Sequence, residues 1–149
     1  MAIVLGGMGI VVFLIRDEEA KAARISAFLE FVIFLKESVS NYSMPISDIL
    51  KTCDRGLLER CGYDVQLDIT PQRLCSECRL PDDDSEHSFK SLMKDFGSSY
   101  RQSEVEKCER CIESLRKREE DMRSQLPKRK KLITCVGISA VALVLILLL

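Results

Sequence analysis

Two cysteine pairs are the residues of this 149-residue chain whose spacing suggests chemistry: Cys75-Ser76-Glu77-Cys78 and Cys108-Glu109-Arg110-Cys111. Two C-x-x-C pairs well separated in sequence resemble a four-thiolate zinc site, to which each pair supplies two ligands. Their surroundings argue otherwise. The second pair lies inside the most strongly helical stretch, where the tight turn of a zinc knuckle is costly. Neither pair has the glycine or proline neighbours that such turns favour. Cys108 also falls on an apolar stripe, where a reduced cysteine is a small hydrophobe. The expectation is buried thiols and no metal; Cys75, Cys78, Cys108 and Cys111 remain the candidate ligands of a zinc or thiol sensor. Seven cysteines, an odd number, do not suggest a disulfide framework on the reducing side of a membrane.

Other chemistry is sparse. His87 is the only histidine and tryptophan is absent. His87 falls in a polar helix start and is expected to be solvated. Asp82-Asp83-Asp84 reads as a solvated loop with Asp84 or Ser85 as a helix cap. A calcium loop would need spaced ligands and a glycine at the bend. No phosphate-binding lysine loop, nucleophile elbow or H-E-x-x-H is present. No acid, base and nucleophile converge, so no enzyme activity and no cofactor are expected.

The ends of the chain say more. Lys128, Arg129, Lys130 and Lys131 precede residues 132–149, which carry no charge, and twelve of those eighteen are Leu, Ile or Val. Eighteen helical residues reach roughly 27 Å, close to the roughly 30 Å hydrocarbon core of a bilayer. Residues 132–149 are therefore expected to form a transmembrane helix behind a basic juxtamembrane collar, residues 128–131. Residues 1–15 also lack side-chain charge, and Arg16 ends them. That stretch is short for a lone span. Without a basic start or a small-residue cleavage site it does not read as a signal peptide. Gly6, Gly7 and Gly9 would be unfavourable in a soluble helix, but small residues let membrane helices approach closely. Gly137, Ser139, Ala140 and Ala142 offer a partner surface, with Gly137 and Ala140 the expected packing positions. The expectation is a two-helix hairpin with an uncleaved first span. Basic residues cluster only at the inner flanks, which places the middle segment in the cytoplasm and both termini outside. The collar can also hold anionic lipid headgroups.

Residues 16–127 are then one cytoplasmic helical domain. Of 22 Lys and Arg, five (Arg16 and the collar) sit at the membrane edges, leaving 17 against all 23 Asp and Glu, a balance of −6. Such an acidic body argues against nucleic acid. From Asp17 to Asn41 there is no glycine or proline, and Ile25, Phe28, Val32, Leu35 and Val39 form one helical stripe, widened by Leu29, Phe31 and Ile33. After a break at Tyr42-Ser43-Met44-Pro45, one helix should carry Ile46, Ile49, Leu50, Cys53, Leu57 and Leu58 and stop near Gly62. Val65, Leu67 and Ile69 alternate like a strand but lack a partner, so residues 63–70 read as extended loop. Pro71 should open a short helix. A further helix should run from about Ser85 to Phe96, ended by Gly97. The last should start at a Ser103–Glu106 capping box and run to about Gln125, with Pro127 at its exit. Its stripe is Val105, Cys108, Ile112, Leu115, Met122 and Leu126, with Glu119 filling one slot. The fold class expected is all-α: a helical bundle flanked by an N-terminal and a C-terminal transmembrane helix, its first and last helices side by side.

The C-terminal half resembles the stage III sporulation protein AB family. The resemblance rests on Lys94-Asp95-Phe96-Gly97, the polar Ser103 to Glu106, the charged helix Ile112 to Arg123, and the close from Gly137 through Ala142-Leu143-Val144-Leu145-Ile146-Leu147-Leu148-Leu149. The front also fits: a short glycine-containing span, a helix, and a Ser43-Met44-Pro45-Ile46 break. The resemblance implies a scaffold subunit of a secretion-like channel in the mother-cell membrane facing the forespore. Such proteins look like the inner-membrane platform of type II secretion and type IV pilus machines. The partners implied are a cytoplasmic secretion-type ATPase and the other membrane proteins of that channel; further copies of the chain are another expected partner. A generic membrane-tethered helical adaptor is the alternative.

Overall fold

Helix formation here follows the absence of breakers. No proline or glycine interrupts residues 10–41, and the first helix, α1, runs Ala2–Asn41. The computed structural model describes residues 2–41 and 45–147, with side chains at 2–8, 46 and 145 excepted. The remaining helices are α2 (Ile46–Thr52), α3 (Arg55–Cys61), α4 (Pro71–Ser76), α5 (Asp83–Lys94) and α6 (Arg101–Leu147). There is no strand among the described residues, and the fold is all-helical. The chain divides into two compact units. One is Met1–Ala22 with Glu120–Leu149; the other, the body, is Ala23–Glu119.

The body is built on the stripe of α1. Ile25, Phe28, Val32 and Leu35 are wholly buried, and Leu29, Phe31 and Val39 join them. Phe89 of α5 meets Phe28 edge-on, at 4.8 Å and 87°, and stacks obliquely on Phe31. Edge-to-face rings gain beyond their buried area. Tyr63 tilts against Phe28 and donates its hydroxyl to the Leu74 carbonyl at 2.8 Å, tying the loop after α3 to α4. Within the body α1 and α6 run antiparallel. Ser26 donates to Glu119 at 2.8 Å, Lys36 pairs with Glu109, and Arg101 donates to the carbonyls of Val39 and Ser40. That last contact satisfies carbonyls left open at the end of α1. Glu119, the polar intruder in the α6 stripe, thus has Ser26 to meet it.

Several boundaries differ from the sequence reading, each for a local reason. The single helix expected over residues 46–61 is two, because Asp54 breaks it: its side chain caps α3 by accepting from the Gly56 N–H. Gly62 ends α3 with φ +94°, a left-handed closure that glycine adopts without strain. The Val65, Leu67, Ile69 alternation marks burial rather than pairing: Val65 and Ile69 pack on the core while Leu67 is exposed, and Asp64 closes a turn onto the Gln66 N–H. Helix α5 starts two residues early, capped by Asp82 rather than Asp84 or Ser85. Helix α6 also starts early. Ser103 therefore lies inside it and cannot cap it; the Ser99 N–H donates to Glu104 instead. Pro127 lies inside α6 rather than at its exit. The Tyr42-Ser43-Met44 break lies outside the described residues.

The expected flanking spans are not shown: among the described residues, no helix is long and apolar enough to cross a membrane. The uncharged stretch 132–149 includes Leu145, whose side chain is not described, and Leu148 and Leu149, which lie outside the described residues. What precedes it on α6 is the fully charged collar.

Candidate functional site

Cys53, Cys61, Cys78, Cys108 and Cys111 are buried in the body, Cys75 is half-buried, and none is disulfide-bonded. The Cys75 thiol lies 3.7 Å from the Lys90 carbonyl, to which it donates. Burial pushes the Cys53 and Cys111 thiols up to about 11 and those of Cys61, Cys78 and Cys108 up to about 12. A nucleophilic cysteine needs its thiolate, which this environment disfavours. Among the described residues, no three His, Cys, Asp or Glu side chains gather where they could hold a metal ion. Cys108 and Cys111 instead pack in the core beside Leu115 and Ile112. His87 is exposed.

A hollow of about 470 Å³ opens on the body between α2 and the 65–70 loop. Lys51, Arg55 and Asp68 stand at its wall over Leu50, Leu58 and Val65. It holds no histidine, and its one thiol, Cys53, is among those pushed up.

The other unit carries the collar. Here residues of α1 and α6 face each other in antiparallel register. Arg129 donates to Glu18 at 2.9 Å and Lys130 pairs with Glu19 at 2.5 Å. On α1 itself, Lys21 pairs with Asp17 at 2.6 Å and Glu18 at 3.3 Å. Burial opposes the charge on Glu18, but hydrogen bonds from Arg129 and Lys21 outweigh it and hold its carboxyl below the usual range. Sequence reading treated the four collar residues as alike and missed this division. The signal was present in Asp17-Glu18-Glu19, an acidic run at the matching end of α1.

Beyond the collar both helices turn apolar. Ile10, Phe13, Val136, Ile138, Leu143, Ile146 and Leu147 are exposed. The same helices line an apolar groove of about 650 Å³ that includes Gly137 and Ala140. A methyl added at Gly137 would overlap the Val11 side chain, so this glycine marks a close approach of the two helices. Gly9 has nothing within 4 Å of such a methyl. Gly6 and Gly7 lie outside the residues whose side chains are described. The hydroxyls of Thr134 and Ser139 donate back to the carbonyls of Lys130 and Cys135, which leaves neither donor unmet in the apolar stretch.

The family model described as stage III sporulation protein AB matches residues 34–149. No curated protein and no solved structure matches the chain.

Proposed function

This chain belongs to the stage III sporulation protein AB family, and from that premise we propose that it is a non-enzymatic membrane platform of the sporulation channel. Its body docks a cytoplasmic secretion-type ATPase and passes the position or movement of that ATPase to the membrane assembly. The observation that carries this reading is the family match, which takes in most of the body as well as the collar and the uncharged tail. The thiols buried in a closed aromatic core suit a rigid docking module better than a sensor.

Membrane anchorage is part of the same proposal. Two features support it. Large apolar side chains face outward along both helices of the collar-bearing unit, as lipid-facing residues do. Residues 132–149 contain no charge, and four consecutive basic residues precede them. On this reading residues 2–15 and 132–149 enter the bilayer as a hairpin. The collar and body then face the cytoplasm, following the positive-inside rule.

The test is co-purification. Full-length tagged chain is extracted in mild detergent from membranes of sporulating cells, and its partners and zinc content are measured together. Recovery of a secretion-type ATPase with no bound zinc supports the platform. One zinc per chain and no ATPase would overturn it in favour of a sensor. Retention in the membrane fraction after alkaline wash is expected; release into the supernatant would remove the anchorage.

A further inference from the structure

The charges at the collar sort into two sets. Three acidic residues of α1 are matched: Asp17 and Glu18 by Lys21, Glu18 also by Arg129, and Glu19 by Lys130. These pairs use up Arg129 and Lys130. Arg16, Lys128 and Lys131 have no ionic or hydrogen-bonding partner among the described residues, and all three sit within four residues of the uncharged stretches. Arg129 and Lys130 face α1 through these pairs, so at about 3.6 residues per turn Lys128 and Lys131 fall together on the opposite side of α6. We propose that Lys128 and Lys131 form a binding site for anionic phospholipid headgroups, while Arg129 and Lys130 serve to lock α1 to α6. The inference rests on the membrane anchorage proposed above.

A cation held by a carboxylate at 2.5 to 2.9 Å has its charge largely offset locally, and a lipid phosphate must displace that carboxylate to gain the same contact. A cation without a partner pays no such cost. Each basic side chain near an anionic surface contributes about 1 kcal/mol, which corresponds to roughly five-fold in lipid association. The occupant is a bilayer lipid rather than a soluble phosphate, because the two lysines border exposed Leu132 and Val136 on the same helix, against which an acyl chain can lie.

Full-length chain in phosphatidylcholine bilayers, probed with spin-labelled phosphatidylglycerol against spin-labelled phosphatidylcholine, reads the preference directly. The wild type is expected to favour phosphatidylglycerol. Lys128→Gln with Lys131→Gln should lower that preference by more than ten-fold, at roughly five-fold per lysine. The charge-neutral set Glu18→Gln, Glu19→Gln, Arg129→Gln and Lys130→Gln should keep it, while lowering the thermal stability of the helix pair. Equal loss in both variants, or no anionic preference in a wild type that floats with the vesicles, would overturn the division. Failure of the wild type to float would instead overturn the anchorage on which it rests.

Discussion

Chemistry at the residue scale is decided by burial. A thiol pushed up to about 12, as at Cys78 and Cys108, exposes far less than about 1% thiolate at pH 8. Native protein treated with iodoacetamide at that pH should therefore leave Cys53, Cys61, Cys78, Cys108 and Cys111 unmodified, and all five should react after denaturation. Mass spectrometry of the two digests checks this, and rapid native labelling of Cys78, Cys108 or Cys111 would reopen the sensor reading. Phe89, wholly buried against Phe28 and Phe31, is the side chain the body can least spare. Phe89→Ala should cost about 3–5 kcal/mol in denaturant unfolding. The hydrogen bond from Lys90, with one from the Leu80 N–H, holds the Glu86 carboxyl below its ordinary 4.5. A depressed folded value means that its contribution is full above the unfolded value and is lost as pH falls through the folded one. Melting temperature should drop on acidification from about pH 5 to pH 3, and less so in Glu86→Gln. The core stripe was legible at this scale because apolar residues recur at helical spacing. Partnered polar residues such as Glu119 were not, because what faces them is set far away in sequence.

At the scale of elements, the helices were legible and their ends were not. Continuous apolar periodicity identified α1, α5 and α6, and Pro71 marked α4. The break between α2 and α3 turned on one side chain, Asp54, whose capping bond to Gly56 competes with a helix that the apolar pattern alone would continue. Asp54→Ala should cost about 1 kcal/mol, within the range for a lost N-cap. Asp82→Ala should cost more, because Asp82 both caps α5 and accepts from Arg118 of α6 at 2.9 Å. Urea unfolding of the two variants ranks them; an equal or reversed order would mean that the Arg118 contact adds nothing. Pro127 marks the opposite error. Proline removes one helical hydrogen bond and crowds the preceding turn, yet α6 continues past it on the strength of the residues on either side.

At the scale of the whole molecule, two kinds of surface meet in one chain. The body is acidic and closes over its apolar groups. The other unit leaves its apolar groups outside and bounds them with a partly neutralised collar. Composition foretold the acidic body, and the uncharged stretches foretold the apolar unit, but the pairing of α1 acids with collar bases required the register of two helices. Those features accord with the membrane-anchored docking module proposed above. The most direct measurement is binding of the purified secretion-type ATPase from the same cells to full-length chain reconstituted in vesicles, read by co-flotation. Saturable co-flotation is expected, and it should be kept when Lys128 and Lys131 are changed to Gln. Absence of ATPase from vesicles carrying folded wild-type chain would contradict it.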